Sequence, residues 1–332
     1  MIRQPAVGPI RPPSEAHSLL IRVTENCAWN RCEFCSVYKG ERFQLRTVVE
    51  VKEDILAAKG QMDAIWGLAE QGGLIDRIGD LARYNGVFWL ENDGVRSAFL
   101  QDSDSLIMKT EPLVEIVEFL CEVFPTMERV CSYARGKTVL RKKPEELKRL
   151  REAGLSRLHI GLETGDDELL TYIQKGATAD EMVQAGRKAI EAGFELSEYV
   201  MPGLGGRDRW LQHARNTARV INAINPHFIR LRTLGLSQGT PLYENVRQGG
   251  FHVNSIEGVL IEIRKFIEDL DVTSELITSD FASNFFMGRI DGELPEDKEK
   301  LLESIDQALT EWRRRGEPKR NPFLGNLNQS VI

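Results

Sequence analysis

Short apolar strand patterns alternate with helix patterns between residues 18 and 233, and this alternation restricts the fold more than any other feature of the chain. Runs rich in apolar and β-branched residues predict six strands, at 18–24, 96–101, 128–134, 155–163, 194–201 and 227–233. Helical spacing of apolar residues fills most of the intervals between them. Such alternation predicts a parallel sheet with helices outside it, which right-handed crossovers would curl into a full or partial barrel.

The pattern changes near residue 240, which sets the predicted domain boundaries. We expect an extended lead-in at 1–17, a barrel domain at 18–240, and a helical region at 241–332 that covers the barrel. Two amphipathic helix patterns, at 255–270 and 295–315, lie in the last of these, and a polar tail begins near 317. The predicted fold class is therefore α/β, a partial (βα)6 TIM-like barrel with a C-terminal α-rich extension.

Charge and hydropathy restrict the partners. The net charge of −7 disfavours broad binding to a phosphate backbone, so nucleic acid is not an expected partner. No apolar run approaches the roughly 20 residues of a membrane span, so we expect no membrane association. The proline-rich N-terminus lacks the continuous apolar segment of a signal peptide, which predicts a cytoplasmic location.

Three of the five cysteines, Cys27, Cys32 and Cys35, fall within nine positions directly after the first predicted strand. A zinc site would normally take a fourth Cys or His nearby, and a redox C-x2-C pair would not need Cys27. A [4Fe–4S] cluster with three protein thiolates instead of the usual four would leave one iron open to a small molecule. All three interpretations of the C-x4-C-x2-C spacing stay open at this point.

The loop resembles the three-cysteine loop of the radical S-adenosylmethionine (SAM) superfamily. That loop follows the first barrel strand and has an aromatic residue before its last cysteine, as Phe34 is here. The spacing departs by one residue from the commonest family pattern, C-x3-C-x2-C. The resemblance extends over roughly residues 18–240. It implies a [4Fe–4S] cluster on Cys27, Cys32 and Cys35, with SAM at the open iron.

The resemblance also implies contacts to SAM after the second strand. The family usually has a Gly-Gly-Glu-like segment there that holds the SAM amino group. This chain has Asp102, Ser103 and Asp104 instead, whose oxygens suit an ammonium group although the glycines are absent. The structural alternative is a simple Asp-Ser turn.

Three further contacts are implied later in the barrel. Glu163, at the end of the fourth strand, would accept hydrogen bonds from the ribose, and Lys175 would pair with the SAM carboxylate. Gly203 would let the adenine approach the backbone closely. The alternatives are a surface lysine at a helix C-terminus for Lys175 and a plain glycine-rich turn for Gly203.

Arg230 and Arg232 alternate with apolar residues in the sixth strand and are expected to share one face. Facing the inside of the barrel they would hold an anionic group, such as a substrate carboxylate or phosphate. Facing outward they would form salt bridges to helices.

The resemblance implies a reaction in which a reduced cluster passes one electron to SAM. The resulting 5′-deoxyadenosyl radical would take hydrogen from a small organic substrate, and a flavodoxin or ferredoxin would supply the electron. No catalytic residue is predicted for the later steps. Two alternatives stay open: a radical SAM enzyme that modifies tRNA, and a non-catalytic zinc or iron–sulfur protein serving structure or electron transfer.

Overall fold

The protein was analysed as a computed structural model, which describes residues 4–316 and residue 323. The chain divides into two compact units that are described separately. The first consists of Met1–Ala28, Gly40–His159 and Glu191–Phe194. The second consists of Trp29–Lys39, Ile160–Ile190 and Glu195–Ile332.

The first unit contains the N-terminal strands and the helices that pack on them. Its strands are β1 (Leu19–Arg22), β2 (Thr24–Glu25), β3 (Gln44–Leu45), β4 (Ser97–Gln101), β5 (Arg129–Ala134) and the first part of β6 (Leu155–Glu163). Its helices are α1 (Val48–Gly72), α2 (Ile78–Tyr84), α3 (Thr110–Val123), α4 (Gly136–Arg141) and α5 (Pro144–Glu152). The sheet order is β1–β4–β5–β6, and β1, β4 and β5 are parallel.

Local sequence signals explain where these helices begin and end. Helix α1 begins after Thr47, whose side chain forms a capping box with Glu50, and it ends at Gly73 in the left-handed region (φ 64°). Helix α3 buries the apolar stripe expected for it, including Leu113, Val117 and Leu120. Helices α1, α3 and α5 lie between predicted strands, where helical spacing of apolar residues was expected, whereas the short helices α2 and α4 were not predicted.

The second unit continues the alternation of strand and helix. Its strands are the last part of β6, β7 (Glu195–Val200), β8 (Phe228–Leu231), β9 (Glu275–Ile277) and β10 (Gly292–Glu293). Its helices are α6 (Asp167–Tyr172), α7 (Ala179–Glu191, except its last residue), α8 (Gly206–Ile224), α9 (Pro241–Arg247), α10 (Ile256–Glu268) and α11 (Lys298–Arg315). The sheet order is β6–β7–β8–β9–β10. Strands β7, β8 and β9 are parallel to one another, and β10 runs antiparallel to β9.

The six predicted strands and the mostly parallel α/β sheet are confirmed. The C-terminal region differs from the expected α-rich extension because it also supplies β9 and β10 to the sheet. Strand β9 pairs parallel to β8, with Arg230 opposite Ile277. It has only three residues, too few to show a strand period. That residues 241–332 cover the barrel stays a prediction, and the polar tail from 317 lies outside the described residues except Phe323. Among the described helices none is long and apolar enough to cross a membrane.

Candidate functional site

The first half of the cysteine loop is held by the segment that follows β4. Asn26 precedes Cys27 and has a left-handed backbone (φ 66°). Its N–H donates to Asp102 Oδ2 at 2.9 Å, and its carbonyl accepts from Ser103 Oγ at 3.1 Å. The peptide groups on both sides of Asn26 are therefore fixed by two residues of the predicted SAM segment.

The Asp102 carboxylate is fully buried and paired. Arg22 donates to Oδ2 from Nε at 3.0 Å and from Nη2 at 2.8 Å. A side chain at Gly8 would approach Oδ1 to 1.8 Å, so glycine is required where the N-terminal segment passes this carboxylate. The structure gives Asp102 a positioning role, and its predicted contact with the SAM amino group stays a prediction.

Asp104 is buried as well and serves the start of α4. Thr138 Oγ1 donates to its Oδ2, and Arg135 N–H lies 3.4 Å from Oδ1. Burial raises the pKa of Asp104 to about 6, although the Thr138 hydrogen bond and the Arg135 charge oppose the rise. Among the three residues of the predicted SAM segment, Asp102 and Asp104 are buried and Ser103 is partly exposed.

The second half of the cysteine loop is anchored in the second unit. Trp29 Nε1 donates to the Gln174 carbonyl at 2.7 Å, and Glu33 N–H donates to the Ile173 carbonyl at 2.9 Å. A Cβ at Gly176 would approach the Trp29 ring to 2.4 Å, which shows how closely the two segments pack. The segment carrying Cys32 and Cys35 is therefore docked on the residues that flank Lys175.

Phe34 lies between the two cysteines of this half and packs on an apolar cluster. The cluster consists of Leu169, Ile173, Met201, Leu204, Leu234, Leu236, Leu242 and Phe251. Cys27, Cys32 and Cys35 are half-buried and form no disulfide. The aromatic residue before the last cysteine thus anchors the loop by burial of its ring.

Glu163 and Lys175 are brought together, as expected of two residues of one site. Glu163 ends β6 with a left-handed backbone (φ 63°), and its Oε1 accepts from Lys175 Nζ at 2.8 Å. Both side chains are slightly exposed, 14% and 13% respectively. A Cβ at Gly161 would lie 2.3 Å from Glu163 Oε1, so glycine makes room for the pair.

Glu198 on β7 is a candidate residue that the sequence analysis missed. It is fully buried, and neither carboxyl oxygen has a hydrogen-bond partner among the described residues. Burial raises its pKa well above the ordinary value; Lys175 opposes this rise and Glu163 reinforces it. The available signal was a lone carboxyl within an apolar strand, which is costly to bury without a partner.

Gly203 lies in a turn whose backbone groups are hydrogen-bonded to buried polar side chains. It has a left-handed backbone (φ 84°), and its N–H donates to Glu262 Oε1 of α10 at 2.8 Å. His213 of α8 lies 3.1 Å from the Met201 carbonyl through Nε2. Burial raises the pKa of Glu262 to about 8 and lowers that of His213 to about 4.

Arg230 and Arg232 occupy different environments, in contrast to the shared face that we expected. Arg230 is buried, donates to Ser197 Oγ at 3.1 Å and forms an ion pair with Asp280. Arg232 is exposed, with its guanidinium 5.4 Å from the Phe281 ring centre. Strand β8 ends at Leu231, so the alternation assumed for Arg232 does not extend to it.

Comparison with known proteins gives a family match over part of the chain. Residues 90–218 match the family model described as the radical SAM superfamily. The heme chaperone HemW of Bacillus subtilis is 26% identical over 161 residues, 48% of this chain and 42% of HemW. A tRNA uridine(34) acetyltransferase of Methanocaldococcus jannaschii is 23% identical over 108 residues, 32% of this chain and 20% of that protein. The chain thus spans less than half the length of these relatives.

A solved structure agrees on the fold. The coproporphyrinogen III oxidase HemN of Escherichia coli, described as a radical SAM enzyme, matches with a TM-score of 0.50 and 15% identity. The match covers 76% of this chain and 51% of HemN. At this identity the likeness shows the fold, and it agrees with the predicted α/β partial barrel. The family match over residues 90–218 spans less than half of the chain and agrees with the resemblance of the cysteine loop to the radical SAM superfamily.

Proposed function

We propose that this chain is a radical SAM enzyme in which Cys27, Cys32 and Cys35 hold a [4Fe–4S] cluster. The observation that carries the proposal is the anchoring of the cysteine loop. Asp102 and Ser103 bind the residue before Cys27, and the Ile173–Gln174 segment binds the backbone beside Cys32. Three half-buried thiols without disulfides match the soft donor set that iron–sulfur clusters require.

When bound, the cluster supplies the electron that splits SAM into methionine and a 5′-deoxyadenosyl radical, the species that takes hydrogen from a substrate. The work of the protein is to bind, orient and shield. We assign Lys175 to the SAM carboxylate and Glu163 to the ribose hydroxyls. Their mutual ion pair keeps both side chains oriented before SAM arrives, and SAM would replace each partner with one of its own groups.

For the remaining SAM contacts, we assign Gly203 to the adenine and Ser103 to the amino group. Gly203 lacks a side chain, and its turn is fixed by Glu262. Ser103 is partly exposed, unlike its two carboxylate neighbours. Asp102 and Asp104 would act on the amino group through the backbone they hold, because both carboxylates are buried and Oδ2 of each is bound, by Arg22 and by Thr138 respectively.

We propose a small organic substrate and a flavodoxin or ferredoxin as electron donor, in the cytoplasm. Arg230 supports an anionic substrate group because it is a buried cation at the carboxyl end of β8. Asp280 holds that position in this structure, so an anion would have to displace it.

A second candidate is modification of tRNA. The observation in its favour is the matched tRNA uridine(34) acetyltransferase, of which this chain covers 20%. The net charge of −7 weighs against it, because binding to a tRNA backbone is driven by basic surface.

The proposal is tested by reconstituting the protein with iron and sulfide without oxygen. We expect about four irons and four sulfides per chain, and an electron paramagnetic resonance signal of the reduced cluster that changes when SAM is added. Cys32→Ala should lose the cluster, and Cys121→Ala, a matched control on α3, should keep it. Zinc without iron would favour the structural-protein alternative, and a cluster indifferent to SAM would favour the electron carrier.

A further inference from the structure

A second cluster of metal-ligand side chains lies wholly within the first unit. It consists of Glu15, Cys131 of β5 and His159 of β6, each fully buried. One ligand atom from each side chain lies within 4.8 Å of the others. None of these residues takes part in the proposed SAM chemistry, and they come from three separate segments of the chain.

Neighbouring side chains orient the Glu15 carboxylate. Its Oε2 accepts from Ser18 Oγ at 2.6 Å and from Arg129 Nη2 at 3.2 Å. The other oxygen, Oε1, lies 3.5 Å from His159 Nε2 and also accepts from Ser14 Oγ at 3.5 Å. Metal-ligating carboxylates are usually oriented by hydrogen bonds from such outer partners.

The separations suit a small tetrahedral ion. Metal–ligand distances of about 2.0–2.1 Å for zinc place nitrogen and oxygen ligands about 3.3 Å apart. The 3.5 Å between Glu15 Oε1 and His159 Nε2 is close to that value. The His159 ring is fixed edge-on by Phe99 and Tyr133, each with ring centres 6.1 Å away. The Cys131 sulfur lies within 4.8 Å of a ligand atom of Glu15 and of His159, so it would move closer to them when an ion binds.

A cavity lies beside the segment that carries Glu15. A cavity of about 490 Å³ is bordered by Ala16, Ser18 and Leu19, which follow Glu15 directly. Its other walls come from the N-terminal segment, α1 and residues 85–89. Ser18 both lines the cavity and donates to Glu15, so the cavity reaches a direct neighbour of one proposed ligand.

We propose that Glu15, Cys131 and His159 form a binding site for one zinc-type divalent ion, separate from the cysteine loop. Sulfur, imidazole nitrogen and carboxylate oxygen are the donor set of zinc, and water would complete the tetrahedron. Binding releases the Cys131 thiol proton to solvent, so thiolate and carboxylate supply two negative charges opposite the ion and the neighbouring Arg129 guanidinium. The ion would tie the N-terminal segment to β5 and β6.

Arg129 is the alternative cation, since its guanidinium interacts with both Glu15 and Cys131. If it alone neutralises the cluster, no metal binds there. The proposal does not depend on the cysteine loop, so it is tested in the full chain with C27A, C32A and C35A combined. This variant leaves Cys121 and Cys131 as the remaining thiols of the chain.

The probe is Co²⁺, whose bond to a thiolate gives a charge-transfer absorption, followed by competition with Zn²⁺. We expect about one ion per chain with that absorption. Adding Cys131→Ser should remove the absorption and weaken binding by at least 10-fold, the lower end of what outer partners alone cost. Cys121→Ser is the matched control and should change neither.

Thermal unfolding shows whether the variants are folded. Zn²⁺ should raise the melting temperature of the triple variant and leave that of its Cys131→Ser derivative unchanged. If the derivative does not fold, the absorption of the triple variant with and without Cys121→Ser still decides which thiol binds. Absence of the absorption, or its loss with Cys121→Ser, would overturn the proposal and leave Arg129 as the cation of this cluster.

Discussion

The N–H of Asn26, one residue before the first loop cysteine, donates a 2.9 Å hydrogen bond to the buried carboxylate of Asp102. Asp102 is itself paired with Arg22 of β1. One buried ion pair therefore joins the end of β1, the end of β4 and the start of the cysteine loop. The loop has a defined position before any ligand is present.

Asp102→Ala should lower both stability and cluster loading. It leaves Arg22, whose side chain is 18% exposed, without its carboxylate, and breaking such a pair costs about 3–5 kcal/mol when both partners are buried. We expect somewhat less here, with a clear loss of iron per chain. Ser103→Ala removes one neutral hydrogen bond and should cost about 1 kcal/mol. Urea unfolding and iron analysis of both variants check this, and full iron in Asp102→Ala would contradict the positioning role.

Lys175→Ala should weaken SAM binding while the cluster remains. A hydrogen bond to a charged group is worth about 1.5–3 kcal/mol, so the KM for SAM should rise about 10- to 100-fold. Because the lysine is assigned to binding, kcat for SAM cleavage should change little by comparison. Lys59→Ala, on α1 and paired with Asp63, is the control. An unchanged KM would show that the Glu163–Lys175 pair serves structure alone.

Gly176→Ala should disturb the cysteine loop from outside it. The added Cβ would meet the Trp29 ring at 2.4 Å, and the backbone is left-handed (φ 76°), so the cost is both steric and conformational. We expect a loss of about 1–3 kcal/mol and faster loss of iron to a chelator. Gly67→Ala, where a Cβ meets nothing within 4 Å inside α1, should instead stabilise by about 0.5–1 kcal/mol. Equal iron retention in the two variants would contradict the proposed docking.

Glu262→Gln should change how stability depends on pH. The pKa of Glu262 rises from 4.5 to about 8 on burial, so the folded state holds this proton more tightly than the unfolded chain. The wild type therefore loses stability as pH rises from about 4.5 to 8, by at most about 5 kcal/mol at about 1.4 kcal/mol per pKa unit.

Glutamine can still accept from Gly203 N–H but cannot ionise, so the variant should become the more stable protein above pH 8 and show no advantage near pH 5. Urea unfolding across this range measures the difference. Glu257→Gln lies on the same helix and is paired at the surface with Arg313, and it should not alter the pH dependence. A constant difference between Glu262→Gln and the wild type at all pH values would contradict the account.

The regular elements were predictable because their signals are local. Helix α7 begins at a capping box of Thr178 and Glu181, and β6 spans the nine residues that its apolar pattern indicated. Strand β9 was not predicted, because three residues are too few to show the apolar–polar alternation of a strand. Its pairing with β8 in the sheet stabilises it.

The sequence could propose the candidate site as a set of residue types, and that set stays a prediction, but it could not give the contacts between them. The Asp102–Arg22 pair joins residues 80 positions apart, and no periodicity reveals such a partner. Arg230 and Asp280 are 50 positions apart, so the sequence pattern could not show that Asp280 pairs with this arginine. Glu198 and Glu262 were available as charged residues within apolar patterns, and only burial showed that they matter.

The central claim is that the three loop cysteines support reductive cleavage of SAM. Its most direct test is to incubate the anaerobically reconstituted protein with dithionite and SAM and to measure 5′-deoxyadenosine and methionine, with Cys32→Ala in parallel. We predict both products in equal amounts from the wild type and neither from the variant. An iron-loaded wild-type protein that releases no 5′-deoxyadenosine, or a Cys32→Ala variant that releases as much, would contradict the account.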